Sequence, residues 1–169
     1  GLLRVKNIDL PLRVRRKRKL SRLRKHRRCY GESVDERPVD VESRETFGHW
    51  EIDTVIGSAD SSEVLLTLDE RMTRKRHIVK LPKAVEEGLK QVRKEYGKAW
   101  SKVFRTITCD NGSEFSSLPE LFTDTKIYYA HPYSAWERGT NEKQNSLIRR
   151  FFPKGKSFTS VSEKAISLV

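Results

Sequence analysis

Cysteine, methionine and long apolar segments are scarce in this sequence of 169 residues. Its two cysteines, Cys29 and Cys109, are too few for a disulfide framework, so reducing surroundings are expected. No apolar run reaches the length of about 18 residues that a membrane-spanning helix needs. The first residues also lack the pattern of a cleavable signal peptide. These absences argue against a disulfide-rich secreted module and against a helical membrane protein.

Acidic residues are nearly missing from positions 1–30, where Asp9 is the single acid beside 13 lysines and arginines. This segment holds the entire net charge of +12, because residues 31–169 contain 22 residues of each sign. A uniformly basic domain is therefore excluded. The pattern predicts an extended or disordered basic arm at 1–30 joined to a body at 31–169 without net charge. This body consists of a polar connector at 31–46 and one domain at 47–169, long enough for a single core.

The arm is densest between Arg13 and Arg28, where 11 of 16 residues are basic. Repulsion within such a block disfavours independent folding, and nucleic acid is the favoured partner because neutralising phosphates releases counterions. A solvated linker or a localisation signal is the alternative. The predicted nucleic-acid contacts in the arm are Arg13, Arg15, Arg16, Lys17, Arg18, Lys19, Arg22, Arg24, Lys25, Arg27 and Arg28.

The domain at 47–169 alternates strand and helix patterns. Strands are predicted at 47–56, 64–68, 75–81, 105–109 and 126–130. Helices are predicted at 83–96, 118–122 and 137–152, the last with Thr140 or Asn141 as its N-cap. Short connections between the first three strands predict an antiparallel meander. The order of elements predicts an α/β fold, a mixed sheet with flanking helices.

Asp53 lies in the middle of the first predicted strand, among β-branched neighbours. A carboxylate is disfavoured there unless a cation or hydrogen bonds compensate its burial. Glu51 points to the same face, because side chains of a strand repeat every two residues. The segment alone leaves a second interpretation open, in which both acids are solvated on an exposed face of the sheet.

A further acid, Asp110, directly follows the strand at 105–109. Ligand sites of sheet-and-helix folds gather at the carboxyl ends of strands, although Asp-Asn-Gly is also an ordinary turn signal.

Glu142 opens the last predicted helix, where an acid could simply serve to cap the helix. Asn145, Ser146 and Arg149 follow it on the same helix face. One carboxylate with a polar and basic row behind it suits a metal site that borders a phosphate backbone.

Two aspartates and one glutamate from separate elements form a set of hard oxygen ligands, which suits Mg²⁺ or Mn²⁺. Two such ions, roughly 3.5–4 Å apart, can activate a water or a 3′-hydroxyl and stabilise the leaving oxygen of a phosphodiester. A zinc site is not indicated, because the four histidines have no paired ligand spacing. Neither a phosphate-binding P-loop nor a serine nucleophile elbow occurs in the sequence.

Five segments of the sequence resemble the transposases of the bacterial insertion-sequence-thirty family, and they occur in the same order as in that family. They are DERP at 35–38, GHWEID at 48–53, DNGSEF at 110–115, PYSAWERGTNE at 132–142 and RRFFPKG at 149–155. The resemblance implies a ribonuclease-H-like fold, similar to that of retroviral integrases, preceded by the basic arm. It also implies a DDE triad of Asp53, Asp110 and Glu142 that is both catalytic and metal-binding, with two Mg²⁺ or Mn²⁺ ions in each active site.

The reaction that the resemblance implies is metal-dependent cleavage at transposon ends, followed by attack of the freed 3′-hydroxyl on target DNA. Its partners would be double-stranded DNA and further copies of the chain in a homo-oligomer, without a membrane, in the bacterial cytoplasm at the nucleoid. Arg149 and Lys143 are the expected DNA contacts outside the arm. The residues expected to orient the metal ligands are Glu51, Glu114 and Asn111.

Two features depart from the family pattern. Asp110 and Glu142 are separated by 31 residues, slightly fewer than the family leads us to expect, which predicts a trimmed helix between them. The sequence also shows neither the helix-turn-helix region nor the Asn-x-Arg-Pro segment of the family, so a fragment or a decayed copy is expected. A non-catalytic DNA-binding remnant and a generic ribonuclease-H-like nuclease are the alternative functions.

Overall fold

A computed structural model describes residues 30–58, 62–82, 85–132 and 134–166. The arm residues to which the sequence assigns nucleic-acid contacts, 13–28, lie outside the described residues. Within the described ranges, no helix is long and apolar enough to cross a membrane.

A mixed sheet of six strands forms the centre of the described chain. The strands are β1 (Glu32–Ser33), β2 (His49–Ile56), β3 (Glu63–Glu70), β4 (Arg76–Pro82), β5 (Thr106–Cys109) and β6 (Lys126–Tyr129). Their order across the sheet is β1-β6-β5-β2-β3-β4. The predicted meander is confirmed, since β2, β3 and β4 pair antiparallel, whereas β5 pairs parallel with both β2 and β6.

Helices pack on both faces of the sheet. They are α1 (Val39–Ser43), α2 (Val85–Tyr96), α3 (Trp100–Val103), α4 (Leu118–Leu121), α5 (Gly139–Phe151) and α6 (Glu163–Ile166). Short 3₁₀ turns occupy Val34–Glu36, Gly97–Ala99, Ser113–Phe115 and Ala135–Arg138. The main predicted helices at 83–96 and 137–152 therefore correspond to α2 and α5. Residues 83 and 84 lie outside the described residues, and α5 begins two residues later and ends one residue earlier than predicted.

The larger core lies between the sheet and α2, α3 and α4. Helix α2 contributes Leu89 and Val92 to this core, and both are fully buried. From β2, Trp50 and Ile52 point into this core, and Trp50 stacks on Phe104 with ring centroids 4.6 Å apart. Since strand side chains alternate, the odd-numbered residues of β2 must face the other way.

The opposite face of the sheet carries a smaller core beneath α5 and α6. Its members are Val55, Leu65, Ile148, Phe158 and Ile166. This core covers only one end of β2. The remaining length of the same face is therefore left for the polar side chains of β2 and β3, and α5 lies along it.

The segment at 31–46, which the sequence predicts to be a connector, contains β1, a 3₁₀ turn and α1. Its strand adds to the edge of the sheet by pairing parallel with β6. Val34 and Val41 are buried, so this segment packs against the domain that follows it.

Candidate active site

Glu51 and Asp53 lie on the face of β2 that α5 covers. Glu51 is fully buried, so a solvated pair of acids does not describe this face. The Asp53 side chain is 26% exposed. One of its carboxylate oxygens accepts a hydrogen bond from the backbone N–H of Thr54, and the other accepts one from Nδ2 of Asn145, each at 2.9 Å. Strand β2 and helix α5 therefore fix the orientation of Asp53 together.

Asp110 stands at the carboxyl end of β5, beside Asp53. The parallel register pairs Glu51 with Thr108, so two residues further along the strands Asp53 comes opposite Asp110. The Asp110 side chain is 41% exposed and accepts a hydrogen bond from the Gly112 backbone N–H at 3.0 Å. A Cβ atom at Gly112 would lie 2.9 Å from Asp110 Oδ1, so glycine leaves room for the carboxylate.

The guanidinium of Arg138 lies between these two carboxylates. Its Nη1 is 3.5 Å from Asp53 Oδ1, and its Nη2 is 3.4 Å from Asp110 Oδ2. Nη1 also donates to the backbone carbonyl of Ile52 at 3.3 Å. The two aspartates predicted from separate strands thus converge on a single positive charge.

The electrostatics of Asp53 follow from this arrangement. Burial raises the pKa of the Asp53 carboxyl, the nearby Arg138 lowers it, and the negative charge of Asp110 raises it again. Burial dominates, so the net pKa shift is upward. A cation between the aspartates favours their ionised forms, and its removal would leave two carboxylates facing each other.

Helix α5 begins against the buried carboxylate of Glu51. Glu51 Oε2 accepts the backbone N–H of Asn141 at 2.9 Å, and Glu51 Oε1 accepts Nη1 of the buried Arg71 at 2.7 Å. The predicted N-cap at Thr140 or Asn141 is therefore wrong. Arg138 is the N-cap residue, without a side-chain cap, and an acceptor from β2 satisfies the first turn instead.

Glu142 lies in the first turn of α5, directly after Asn141, whose backbone N–H donates to Glu51. Its side chain lies outside the described part of the structure. The structure therefore brings together two of the three predicted catalytic carboxylates and gives the helix position of the third. Asn145, three residues further along α5, already reaches Asp53.

Asn145 is itself held by a second buried ion pair. Its Oδ1 accepts Nη2 of Arg76 at 2.9 Å. Arg76 also donates from Nε and Nη2 to the two carboxylate oxygens of Asp69, at 2.6 and 2.5 Å. Asp69 is fully buried on β3, and the charged network therefore anchors the amide that orients Asp53.

The predicted DNA contacts on α5 differ in exposure. Lys143 is exposed to solvent, whereas Arg149 is half-buried and donates from Nη2 to the carbonyl of Ile56 at 2.8 Å. Burial lowers the pKa of the Arg149 guanidinium, and the charge of Asp53 raises it. Arg149 thus lies at the carboxyl end of β2, close enough to Asp53 for their charges to interact.

Of the residues predicted to orient the ligands, Glu114 and Asn111 belong to the loop after β5. Glu114 is exposed and accepts the hydroxyl of Thr54 at 3.4 Å. Asn111 donates from Nδ2 to the Ala130 carbonyl at 2.9 Å, which ties the loop to the end of β6. Both contacts brace the loop that carries Asp110.

The donor chemistry of the site fits a hard divalent cation. Asp53 and Asp110 offer only carboxylate oxygens, and the two groups already share one cation, the Arg138 guanidinium. Among the described residues, which do not include the Glu142 side chain, no group of three His, Cys, Asp or Glu side chains is arranged to hold a metal.

The sequence is similar to curated bacterial transposases. It is 41% identical over 167 residues to the probable transposase for insertion-like sequence element IS1161 of Streptococcus salivarius, covering 98% of this chain and 48% of that protein. It is 38% identical to the transposase for IS4351 of Bacteroides fragilis, covering 80% of this chain and 42% of that protein. Its identity to the transposase InsI for IS30A of Escherichia coli (strain K12) is 32%, covering 82% and 37%. The chain belongs to the insertion-sequence-thirty family of transposases.

This member of the transposase family spans about half the length of the curated relatives it matches. No protein-family model matches the sequence. Among solved structures, it resembles a chain in the cryo-EM structure of the simian T-cell lymphotropic virus intasome in complex with PP2A regulatory subunit B56 gamma. The TM-score is 0.52 at 15% identity, and the match covers 71% of this chain and 45% of that chain. The predicted ribonuclease-H-like fold is confirmed.

Three charged residues of this transposase-family chain were not predicted as parts of the site. Arg138 contacts both aspartates, Arg71 holds Glu51, and Arg76 holds Asn145. Arg138 lies within the family motif at 132–142, and this position could have marked it as a residue of the site. Arg71 and Arg76 belong to turn and strand segments where arginine is ordinary, and no sequence pattern distinguishes them.

Proposed function

We propose that this chain is the catalytic region of a DDE transposase, which cleaves DNA strands at transposon ends and joins the freed 3′-hydroxyl to target DNA. Asp53, Asp110 and Glu142 are the proposed catalytic residues, acting with Mg²⁺ or Mn²⁺. Membership of the transposase family supports the assignment of transposition.

One observation carries the proposal for these residues. The carboxylates of Asp53 and Asp110, from adjacent parallel strands, face one shared cation at 3.4–3.5 Å, beside the first turn of the helix that bears Glu142. Two carboxylates that face each other in a partly buried site repel one another, and Arg138 makes only one long contact to each, so the convergent pair indicates a functional role.

The proposed chemistry is phosphoryl transfer between oxygen atoms. Two bound ions would lower the barrier by activating a water or a 3′-hydroxyl and by stabilising the leaving oxygen of the phosphodiester. Asp53, Asp110 and Glu142 would hold those ions. Asn145 keeps the Asp53 carboxylate in a fixed orientation, and Glu51 keeps the start of α5 in place.

The test is strand cleavage and joining by the full chain in Mn²⁺. A branched duplex with a free 3′-hydroxyl at the branch reports the joining reaction in reverse and needs no knowledge of the transposon ends. Asp53→Asn, Asp110→Asn and Glu142→Gln should each reduce the rate by at least about a thousandfold, because each removes a metal ligand.

The matched control is Asp124→Asn. Asp124 has a similar exposure, 38%, but pairs with Arg93 away from the site. It should retain the rate of the unsubstituted chain, and thermal unfolding should show that all four variants are folded. Full activity in Asp53→Asn or Asp110→Asn would refute the assignment. Cleavage without any joining would instead indicate a nuclease.

DNA is the proposed substrate, and we propose that the basic arm supplies much of the affinity for it. The active complex is proposed to be a homo-oligomer that acts on DNA in the bacterial cytoplasm. Deletion of residues 1–28 should weaken binding to a duplex and flatten its dependence on salt, because fewer counterions are released. Unchanged binding and salt dependence would refute the role of the arm.

A further inference from the structure

Arg138 occupies the place between Asp53 and Asp110 where these carboxylates would share a metal ion. Its side chain is 13% exposed, and its guanidinium nitrogens lie 3.5 Å from Asp53 and 3.4 Å from Asp110. The proposed reaction assigns no role to Arg138, which lies at the end of the 3₁₀ turn at Ala135–Arg138, just before α5.

The contacts of Arg138 are longer than those of Arg76, an arginine of strand β4 that forms a buried ion pair. Arg76 makes a two-point pair with Asp69 at 2.6 and 2.5 Å. Arg138 makes one longer contact to each carboxylate, and its buried Nε has no hydrogen-bond partner among the described residues. All contacts of the Arg138 guanidinium, including the 3.3 Å hydrogen bond to the Ile52 carbonyl, are long, and one buried donor is unused, so another cation could replace it.

The location of Arg138 allows such a replacement. The first turn of α5 is held by the carboxylate of Glu51, which accepts the Asn141 backbone N–H, and not by the Arg138 side chain. Asp53 is held independently by Asn145. Moving the guanidinium away would therefore leave both the helix start and the Asp53 carboxylate in position.

We propose that Arg138 is a built-in counter-ion of the metal site, which occupies the cation position in the metal-free protein and must be displaced by divalent metal. The inference rests on the proposed function, because it takes Asp53 and Asp110 as metal ligands. It adds that the chain sets its own metal affinity: Arg138 keeps the two carboxylates together without metal and competes with metal for them.

The sign of one binding measurement tests this competition. Arg138→Gln removes the competing charge, so Mn²⁺ should bind tighter by about five- to tenfold, a modest effect because the pair is partly exposed to solvent. Arg138→Lys retains the charge and should bind Mn²⁺ like the unsubstituted chain. Binding is measured on the full chain by electron paramagnetic resonance of free Mn²⁺, without DNA.

Arg93→Gln is the matched control, because it removes the same charge from an arginine that pairs with Asp124 away from the site. Its Mn²⁺ affinity should not change. Asp53→Asn should lose Mn²⁺ binding at the site of Asp53 and Asp110, so it shows which part of the measured binding belongs to this site. A tighter site in Arg138→Gln alone would support the inference.

One outcome would overturn the role of Arg138 and leave the proposed function standing. In it, the unsubstituted chain binds Mn²⁺ at a site that Asp53→Asn removes, but Arg138→Gln binds Mn²⁺ no more tightly than the unsubstituted chain. If no variant showed Mn²⁺ binding that depends on Asp53, both the role of Arg138 and the proposed metal site would be refuted.

A measurement on the unsubstituted chain covers the case in which Arg138→Gln fails to fold. The arginine Nε–H resonance that disappears in Arg138→Lys should shift on Mg²⁺ addition, with the same midpoint as metal binding. A resonance that stays in place while the site fills would refute displacement.

Discussion

Replacing Glu51 should destabilise the folded chain strongly. Its carboxylate is fully buried and accepts both the guanidinium of Arg71, at 2.7 Å, and the Asn141 backbone N–H, at 2.9 Å. Glu51→Gln keeps the shape of the side chain but removes its charge. Arg71 would then remain buried beside a neutral group, and the first turn of α5 would lose a charged acceptor.

The magnitude follows from the contacts that remain. Removing one partner of a buried ion pair costs about 3–5 kcal/mol. Arg71 would still donate to the Val41 carbonyl and to the half-exposed Glu42. The lower end, about 3 kcal/mol of unfolding free energy, is therefore expected. For a domain of this size it corresponds to a fall of roughly 10 °C in the unfolding midpoint.

Thermal and urea unfolding of the metal-free chain measure this loss. Glu45→Gln, at an exposed position shortly before β2, is the matched control and should stay near the midpoint of the unsubstituted chain. A double variant that adds Arg71→Met should lose less stability than the sum of the single variants. If Glu51→Gln unfolded within about 2 °C of the unsubstituted chain, the buried pair would not hold α5 as described.

Three further predictions concern the core, the pH dependence and the orientation of the site. Leu89→Ala should cost about 2–5 kcal/mol in urea unfolding, because it empties a fully buried position between α2 and the sheet. Burial lowers the pKa of His49 from 6.5, so the stability it supports is present above that pH and is lost as the pH falls below it. Against His49→Asn, the unsubstituted chain should therefore lose stability from pH 7.5 to 5.5 by at most about 1.4 kcal/mol per pH unit. Asn145→Ala should slow strand joining by about tenfold or more with little change in stability, because Asp53 loses the amide that orients it.

Each of these predictions has an internal comparison. Lys90→Ala, on the exposed side of α2, should leave the unfolding free energy nearly unchanged. If Leu89→Ala lost no more unfolding free energy than Lys90→Ala, Leu89 would not belong to the core as assigned. A pH profile that stayed parallel between the unsubstituted chain and His49→Asn would refute the buried neutral imidazole. Ser146→Ala, exposed on α5, should join strands at the unsubstituted rate. If Asn145→Ala matched it, Asn145 would not position Asp53.

The strands and main helices could be predicted because their signals are local. The apolar run at 64–68 in β3 and the apolar residues of α2 at 85, 89 and 92 are buried, and burial supplies most of the stability of each element. The proximity of Asp53 and Asp110 was expected from the resemblance to the family, because local patterns do not show which strands become neighbours in the sheet.

The interactions that connect these elements could not be predicted in the same way. The start of α5 was misplaced because its first turn is satisfied by Glu51, far away in the sequence, and not by a local cap. β1 has only two residues, too few for a periodic pattern. The contacts of Arg138 with both aspartates depend on which side chains the fold brings together, and residue type alone does not record this.

Anomalous X-ray diffraction from crystals of the chain grown with Mn²⁺ would locate the proposed metal site. We expect a Mn²⁺ peak shared by the carboxylates of Asp53 and Asp110, with Glu142 directed toward the same peak and Arg138 moved away from it. A chain in which Mn²⁺ binds elsewhere at saturating concentration, while Arg138 still bridges the two aspartates, would contradict this expectation.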